Sequence, residues 1–156
     1  MTEPINGQNF FSFFFFLWLT LDKPNYHHTW IEYGKLKLLN AAWTALCSLG
    51  EKKENSRKLA IEAVEKIEVV IKGKKFFGGE SIGYLDIALG WIAHWLPIWE
   101  EVGSMQIVDP AKFPATIAWM KNFLNHGLIK HNLPPRDRML VYFHERSKNW
   151  SAVQQE

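Results

Sequence analysis

Cysteine is almost absent. Cys47 is the only one in 156 residues, so no disulfide forms within the chain and packing alone must hold the fold. A reducing compartment suits such a chain, and the cytoplasm is the expected location. A charge of one sign is missing as well. The 18 Lys and Arg against 16 Asp and Glu leave a formal +2, too balanced to attract nucleic acid, and no basic stripe with interleaved aromatics changes that. No run reaches the roughly 20 apolar residues that a bilayer-crossing helix needs. The longest is "FFSFFFFLWLTL", residues 10–21. Its leader "MTEPINGQN" has one acid, Glu3, and no basic residue, and no small-residue cleavage site follows, so a secretory signal is not expected. Membrane attachment is not expected. His27 and His28 are adjacent, and His126 and His131 are five apart; neither pair has helical ligand spacing, so no metal is expected.

What is abundant is aromatic. Eight Trp and 15% Phe, Trp and Tyr imply a well-filled core or a face built to hold flat apolar molecules. Alternation typical of strands, internal repeats and Gly/Ser linkers do not occur. The Phe-rich opening, residues 1–25, is expected to stand apart from the native fold, since Phe, Ser and Leu codons are what a translated pyrimidine-rich noncoding stretch would give. The domain is then expected over 26–150, with 151–156 a tail.

From about Asn25 the periodicity is helical, and it predicts an all-α bundle of about five helices. The first runs from near His28 to Ser48, with Leu36, Leu39, Trp43 and Leu46 as its buried stripe and Gly50 as its left-handed end. "EKKEN", residues 51–55, is expected to be a solvated turn. A second helix, about Asn55 to Ile71, places Ala60, Val64, Ile67 and Ile71 on one face and most of its acids elsewhere, and ends at Gly73. A central helix covers Tyr84 to Glu101, with Pro97 expected to bend it. "DPAKFPATIAWMKNFL" is expected to open with Asp109 as cap and Pro110 in the first turn, and "PPRDRMLVYFHERSK" with Pro135 similarly placed. Trp43, Trp91, Trp99 and Trp119 are assigned to the core, and Cys47 is read as a small buried apolar residue.

The central helix is apolar nearly all round, so it must be buried on every side. Its first N–H groups then lack partners, at about 1–3 kcal/mol for each one left buried and unpaired. With Gly83 as N-cap, Asp86 falls at N3 and reaches back to the Gly83 N–H, forming half of a capping box. Ile82 and Ile87 flank it as a hydrophobic staple.

The blocks "KKFFGGESIGYLDIALGW", "DPAKFPATIAWMKNFL" and "IKHNLPPRDRMLVYF" resemble, in order, the C-terminal helical domain of plant tau-class glutathione transferases. More loosely, "TWIEYGKLKLLNAAW" is similar to the first helix of that domain, although Gly34 and Leu36 stand where the family has larger or polar residues. The Gly-x-x-Asp of "GYLD" is a folding motif in that family. The resemblance implies conjugation of glutathione to hydrophobic electrophiles, in detoxification. It also implies a thioredoxin-like domain that holds glutathione and activates its thiol, and nothing in residues 1–29 resembles one. The glutathione site is therefore expected to lie outside this chain, which carries the hydrophobic-substrate half and by itself conjugates nothing. By the same resemblance the pocket is lined by Trp30, Tyr33 and Lys37 of the first helix, Trp95 of the central helix, and Tyr142, Phe143 and Arg146 of the last. The expected partners are a hydrophobic electrophile and, in a dimer, a homologous full-length subunit. The alternative is a noncatalytic module that binds apolar ligands or docks onto a partner.

Overall fold

The computed structural model describes residues 34–153, and within that range the chain is helical, with one isolated bridge between Phe76 and Gly79. A π-helical segment, Gly34–Leu39, runs into α1, Asn40–Cys47. Then come α2, Gly50–Ile71; α3, Tyr84–His94; α4, Leu96–Val102; α5, Pro114–Asn125; the single turn α6, Gly127–Lys130; and α7, Arg136–Val153. The expected start near His28 lies outside the described residues.

Helix α1 occupies the middle, packed on α2, α4 and α7, while α3 lies against α5, and α5 also leans on α2. Its buried face is Leu38, Ala42, Ala45 and Leu46, with Leu39 and Trp43 only half-buried. That is a rotation from the expected stripe through Leu39 and Trp43. The π turns supply the reason: i→i+5 bonding holds more residues per turn than the α-helix, so an α-period projected backwards drifts off the face.

Gly50 does adopt the left-handed backbone, at φ +57°, but it opens α2 and does not close α1, which ends at Cys47. The run "EKKEN" is accordingly the first turns of α2 and not a solvated turn. Glu and Lys are good helix formers, and Glu51 sits favourably against the positive end of the helix dipole. Two cations of this region also reach the loop after α4: Lys53 Nζ donates to the Gly103 carbonyl at 2.5 Å and Arg57 to that of Gln106 at 3.0 Å. The other end of α2 matches expectation, with Ala60, Val64, Ile67 and Ile71 fully buried.

The central helix is broken at Trp95, two residues ahead of Pro97. Proline cannot donate to the carbonyl one turn back, so the ladder is interrupted there. Helix α5 starts at Pro114 with Phe113 at the cap position, four residues later than expected. Asp109 instead closes a separate turn, its Oδ1 accepting from Ala111 N at 2.9 Å and its carbonyl from Phe113 N at 2.8 Å. Phe113 offers no capping oxygen, and the cap comes from α2: Glu68 accepts from Ala115 N at 2.9 Å and from Thr116 N and Oγ1, both at 2.7 Å. Pro135 directly precedes α7, its carbonyl accepting from Met139 N at 3.3 Å.

Candidate apolar site

Asp86 is fully buried and accepts three hydrogen bonds. Gly83 N donates to its Oδ2 at 2.9 Å, which is the expected half of the capping box; Gly83 has no side chain to return the bond. Its Oδ1 takes Phe77 N at 2.9 Å and Trp119 Nε1 at 2.8 Å. One carboxylate thus fixes the start of α3, the connector before it and the middle of α5. Ile82 is half-buried against the core, while Ile87 is 38% exposed. Farther along α3, Gly90 admits the Phe123 ring: a Cβ there would lie 2.1 Å from its nearest carbon.

Fixed in this way, α3 and α4 present a row of indoles to α1 and α7. Phe143 is the hub. Its ring centroid lies 5.2 Å from Tyr142, 5.5 Å from Trp99, 6.0 Å from Trp95 and 6.3 Å from Trp43, all near edge-to-face, the arrangement that ring quadrupoles favour. Trp91 joins through Trp95 and Trp99. The Trp99 indole N–H is buried here without an acceptor among the described residues. Its ring neighbours are Trp43, with centroids 5.3 Å apart, and Phe143, at 5.5 Å.

Of the expected pocket residues, Trp95, Tyr142 and Phe143 are brought together. Phe143 is 1% exposed and Trp95 is buried, while Tyr142 is half-buried. Lys37 and Arg146 are exposed. Trp30 and Tyr33 lie outside the described residues. Trp91, Trp99 and Trp119 are buried as assigned, and Trp43 is half-buried within the cluster. Trp95 also borders an open cavity of about 70 Å³, walled by Ile87, Gly90, Trp91, Phe123 and Leu133, with His94, Ile129 and Asn132 completing it.

The titratable groups nearby are poor catalysts. Cys47 is buried, and burial pushes its thiol up to about 11 against the opposing charge of Arg146, so it is protonated at neutral pH. Burial pushes the His94 imidazole down, towards its neutral form, and its Nε2 is enclosed without a partner among the described residues. His126 has a local task, its Nδ1 accepting from Leu128 N at the start of α6. Among the described residues no three His, Cys, Asp or Glu side chains gather as a metal site would require. The site holds apolar surface and offers little to react with it.

The family model "Glutathione S-transferase, C-terminal domain" matches residues 35–126. This chain belongs to the glutathione S-transferase family, and its described part is the C-terminal helical domain of that family. A probable glutathione S-transferase of Glycine max is 37% identical over 124 residues, covering 79% of this chain and 55% of its own length. Glutathione transferase GST 23 of Zea mays is 38% identical over 112 residues, covering 72% and 50%. The chain spans about half the length of these curated relatives. Among solved structures, the tau-class glutathione S-transferase MiGSTU from mango, Mangifera indica, superposes with a TM-score of 0.67 at 29% identity, over 74% of this chain and 55% of that one. Rice GST1, solved in complex with glutathione, shares the fold with a TM-score of 0.69 at 18% identity, over 94% of this chain and 60% of its own. The relatives and the fold are those of the plant tau class, as the resemblance implied.

Proposed function

We propose that this chain supplies the hydrophobic-substrate half of a glutathione transferase and binds an apolar electrophile against Trp95 and Tyr142. Phe143 packs against both rings, and by the family resemblance Lys37, Arg146, Trp30 and Tyr33 are the further candidates for the site. The observation that carries this reading is the ring contact from Trp95 through Phe143 to Tyr142, which joins the central and last helices in one aromatic floor.

We read the described residues as lacking a thiol-activating site: activation of a bound thiol needs a donor aimed at the sulfur, and of the four buried hydroxyls two, Thr116 and Ser147, donate elsewhere, to Glu68 and to the His144 carbonyl. We therefore assign glutathione binding to a thioredoxin-like domain beyond this chain, reached in a dimer with a homologous full-length subunit. By this assignment the chain alone binds but does not conjugate. Among the described residues no helix is long and apolar enough to cross a membrane, and we place the protein in the cytoplasm.

Titration of the full chain with an anilinonaphthalene dye, followed by tryptophan quenching, tests the reading. Saturable binding is expected, with Trp95→Ala and Tyr142→Ala each weakening it about tenfold, which corresponds to about 1.4 kcal/mol. Binding unaffected by both substitutions overturns the assignment of the site. Binding that never combines with turnover, even beside a full-length homologue, favours the noncatalytic module.

A further inference from the structure

Helix α2 has a second face that the core does not use. Its buried positions, Ala60, Ala63, Val64, Ile67 and Ile71, face the π segment, α1 and α5. Opposite Val64 runs an exposed row of Leu59, Glu62, Lys66 and Val69. These stand at i, i+3, i+7 and i+10, within an arc of roughly 80° when about 3.6 residues make a turn. Leu59 is 57% exposed and Val69 76%. Two large aliphatic side chains thus flank a pair of opposite charges on a face turned to water.

The order of the four is self-complementary. Val64 lies midway between Leu59 and Val69 and also midway between Glu62 and Lys66. A two-fold axis at the level of Val64 therefore sets two antiparallel copies of α2 with Leu59 beside Val69 and Glu62 beside Lys66, each pair made twice, as a closed isologous interface requires. No like charges meet. In this register Lys58 comes opposite Val70, and Asn55 opposite Gly73, just beyond the helix end. Other registers are repulsive. A parallel pairing sets Glu62 against Glu62 and Lys66 against Lys66, and an antiparallel one centred on either residue sets that residue against its own copy.

We infer that the outer face of α2 is a self-association surface, on which a second copy of this chain docks antiparallel about Val64. The aliphatic pairs supply the burial, and the ion pairs fix the register. With two aliphatic side chains from each copy at its centre, the contact is smaller than the roughly 1,200 Å² at which stable interfaces begin, so the association is weak and concentration-dependent. The inference stands whether or not the aromatic site binds an electrophile, because no residue assigned to that site lies on α2.

Sedimentation equilibrium of the full chain over a wide concentration range, at low salt, tests it. A reversible equilibrium of monomer and dimer is expected. Glu62→Lys and Lys66→Glu each set like charges against one another twice, and each is expected to weaken the dimer about tenfold. Leu59→Ser, expected to weaken it as much, stands in should either charge variant unfold. Positions four apart are also neighbours within one helix, and mixing separates the two effects. Equal amounts of the Glu62→Lys and Lys66→Glu chains restore opposite charges only between copies, so their heterodimer is expected to be about as tight as the unsubstituted dimer. A chain that stays monomeric at every concentration overturns the inference, as does a dimer that none of these changes weakens. So does a mixture no tighter than either variant alone, because the losses then arise within the helix.

Discussion

Trp119 Nε1 and Asp86 Oδ1 lie 2.8 Å apart, a buried bond between residues 33 positions apart that ties α5 to the start of α3. The same oxygen also receives Phe77 N, and the other receives Gly83 N, so the carboxylate is shared by three segments of chain. The aromatic floor depends on this junction, because α3 carries Trp91 and leads into Trp95.

Asp86→Ala leaves three donors without this acceptor, Phe77 N and Trp119 Nε1 buried and Gly83 N part-buried, at about 1–3 kcal/mol for each buried one. A loss of about 3 kcal/mol or more is expected in urea denaturation, a large part of the 5–15 kcal/mol or so typical of a domain. Trp119→Phe removes a donor without orphaning the others, and its expected cost is smaller, about 1–2 kcal/mol. Equal stability of Asp86→Ala and the unsubstituted protein contradicts the role given to this carboxylate.

Glu68 and Glu100 are expected to respond to pH with opposite signs. For Glu68, burial raises the pKa, but the bonds from Thr116 and Ala115 together with the charge of Lys72 outweigh it, and the net direction is down. Its stabilising effect is therefore complete above the ordinary carboxylate value and is lost as pH falls through the lowered one. Glu68→Ala is expected to cost about 1 kcal/mol at pH 7, the usual worth of a helix cap, and progressively less towards pH 3. A cost independent of pH sinks this reading.

For Glu100, burial dominates and raises the pKa, despite the N–H groups of Ile107 and Val108 that its Oε1 accepts at 2.5 and 2.7 Å. Its contribution is complete below the ordinary value and declines as pH rises through the raised one. A glutamine oxygen accepts the same two bonds without carrying charge. Glu100→Gln is expected to equal or exceed the unsubstituted protein in stability at pH 7 and to lose that advantage near pH 4, as thermal melts at the two pH values will show.

Gly90→Ala places a methyl 2.1 to 2.8 Å from three carbons of the Phe123 ring. Overpacking of this kind costs about 1–3 kcal/mol. The companion change Phe123→Leu is expected to restore part of the loss in the double variant, measured by denaturant midpoint. Additive losses instead of rescue contradict the contact.

Much of this arrangement was legible in the residues because its causes are local. The bond from Gly83 to Asp86 spans three positions, the buried face of α2 follows one helical period, and the break before Pro97 follows from a missing N–H. What escaped was set by distance or by geometry without a sequence mark. Glu68 belongs by pattern to the charged side of α2, yet it caps a helix that begins 46 residues later. The π turns before α1 moved Leu38 inward in place of Leu39, and no residue announces them. Asp109 has the appearance of a helix cap and instead closes a turn ahead of Phe113. Of the aromatics proposed for the pocket, only packing distinguishes the buried Phe143 from the half-buried Tyr142.

Conjugation of glutathione to 1-chloro-2,4-dinitrobenzene by the purified full chain, at protein and dye concentrations where apolar binding is saturated, tests the account most directly. Saturable dye binding with a rate indistinguishable from the uncatalysed reaction is the expected result. Turnover above that rate, abolished by heating the protein, would place a thiol-activating group within this chain and contradict the division of labour proposed for it.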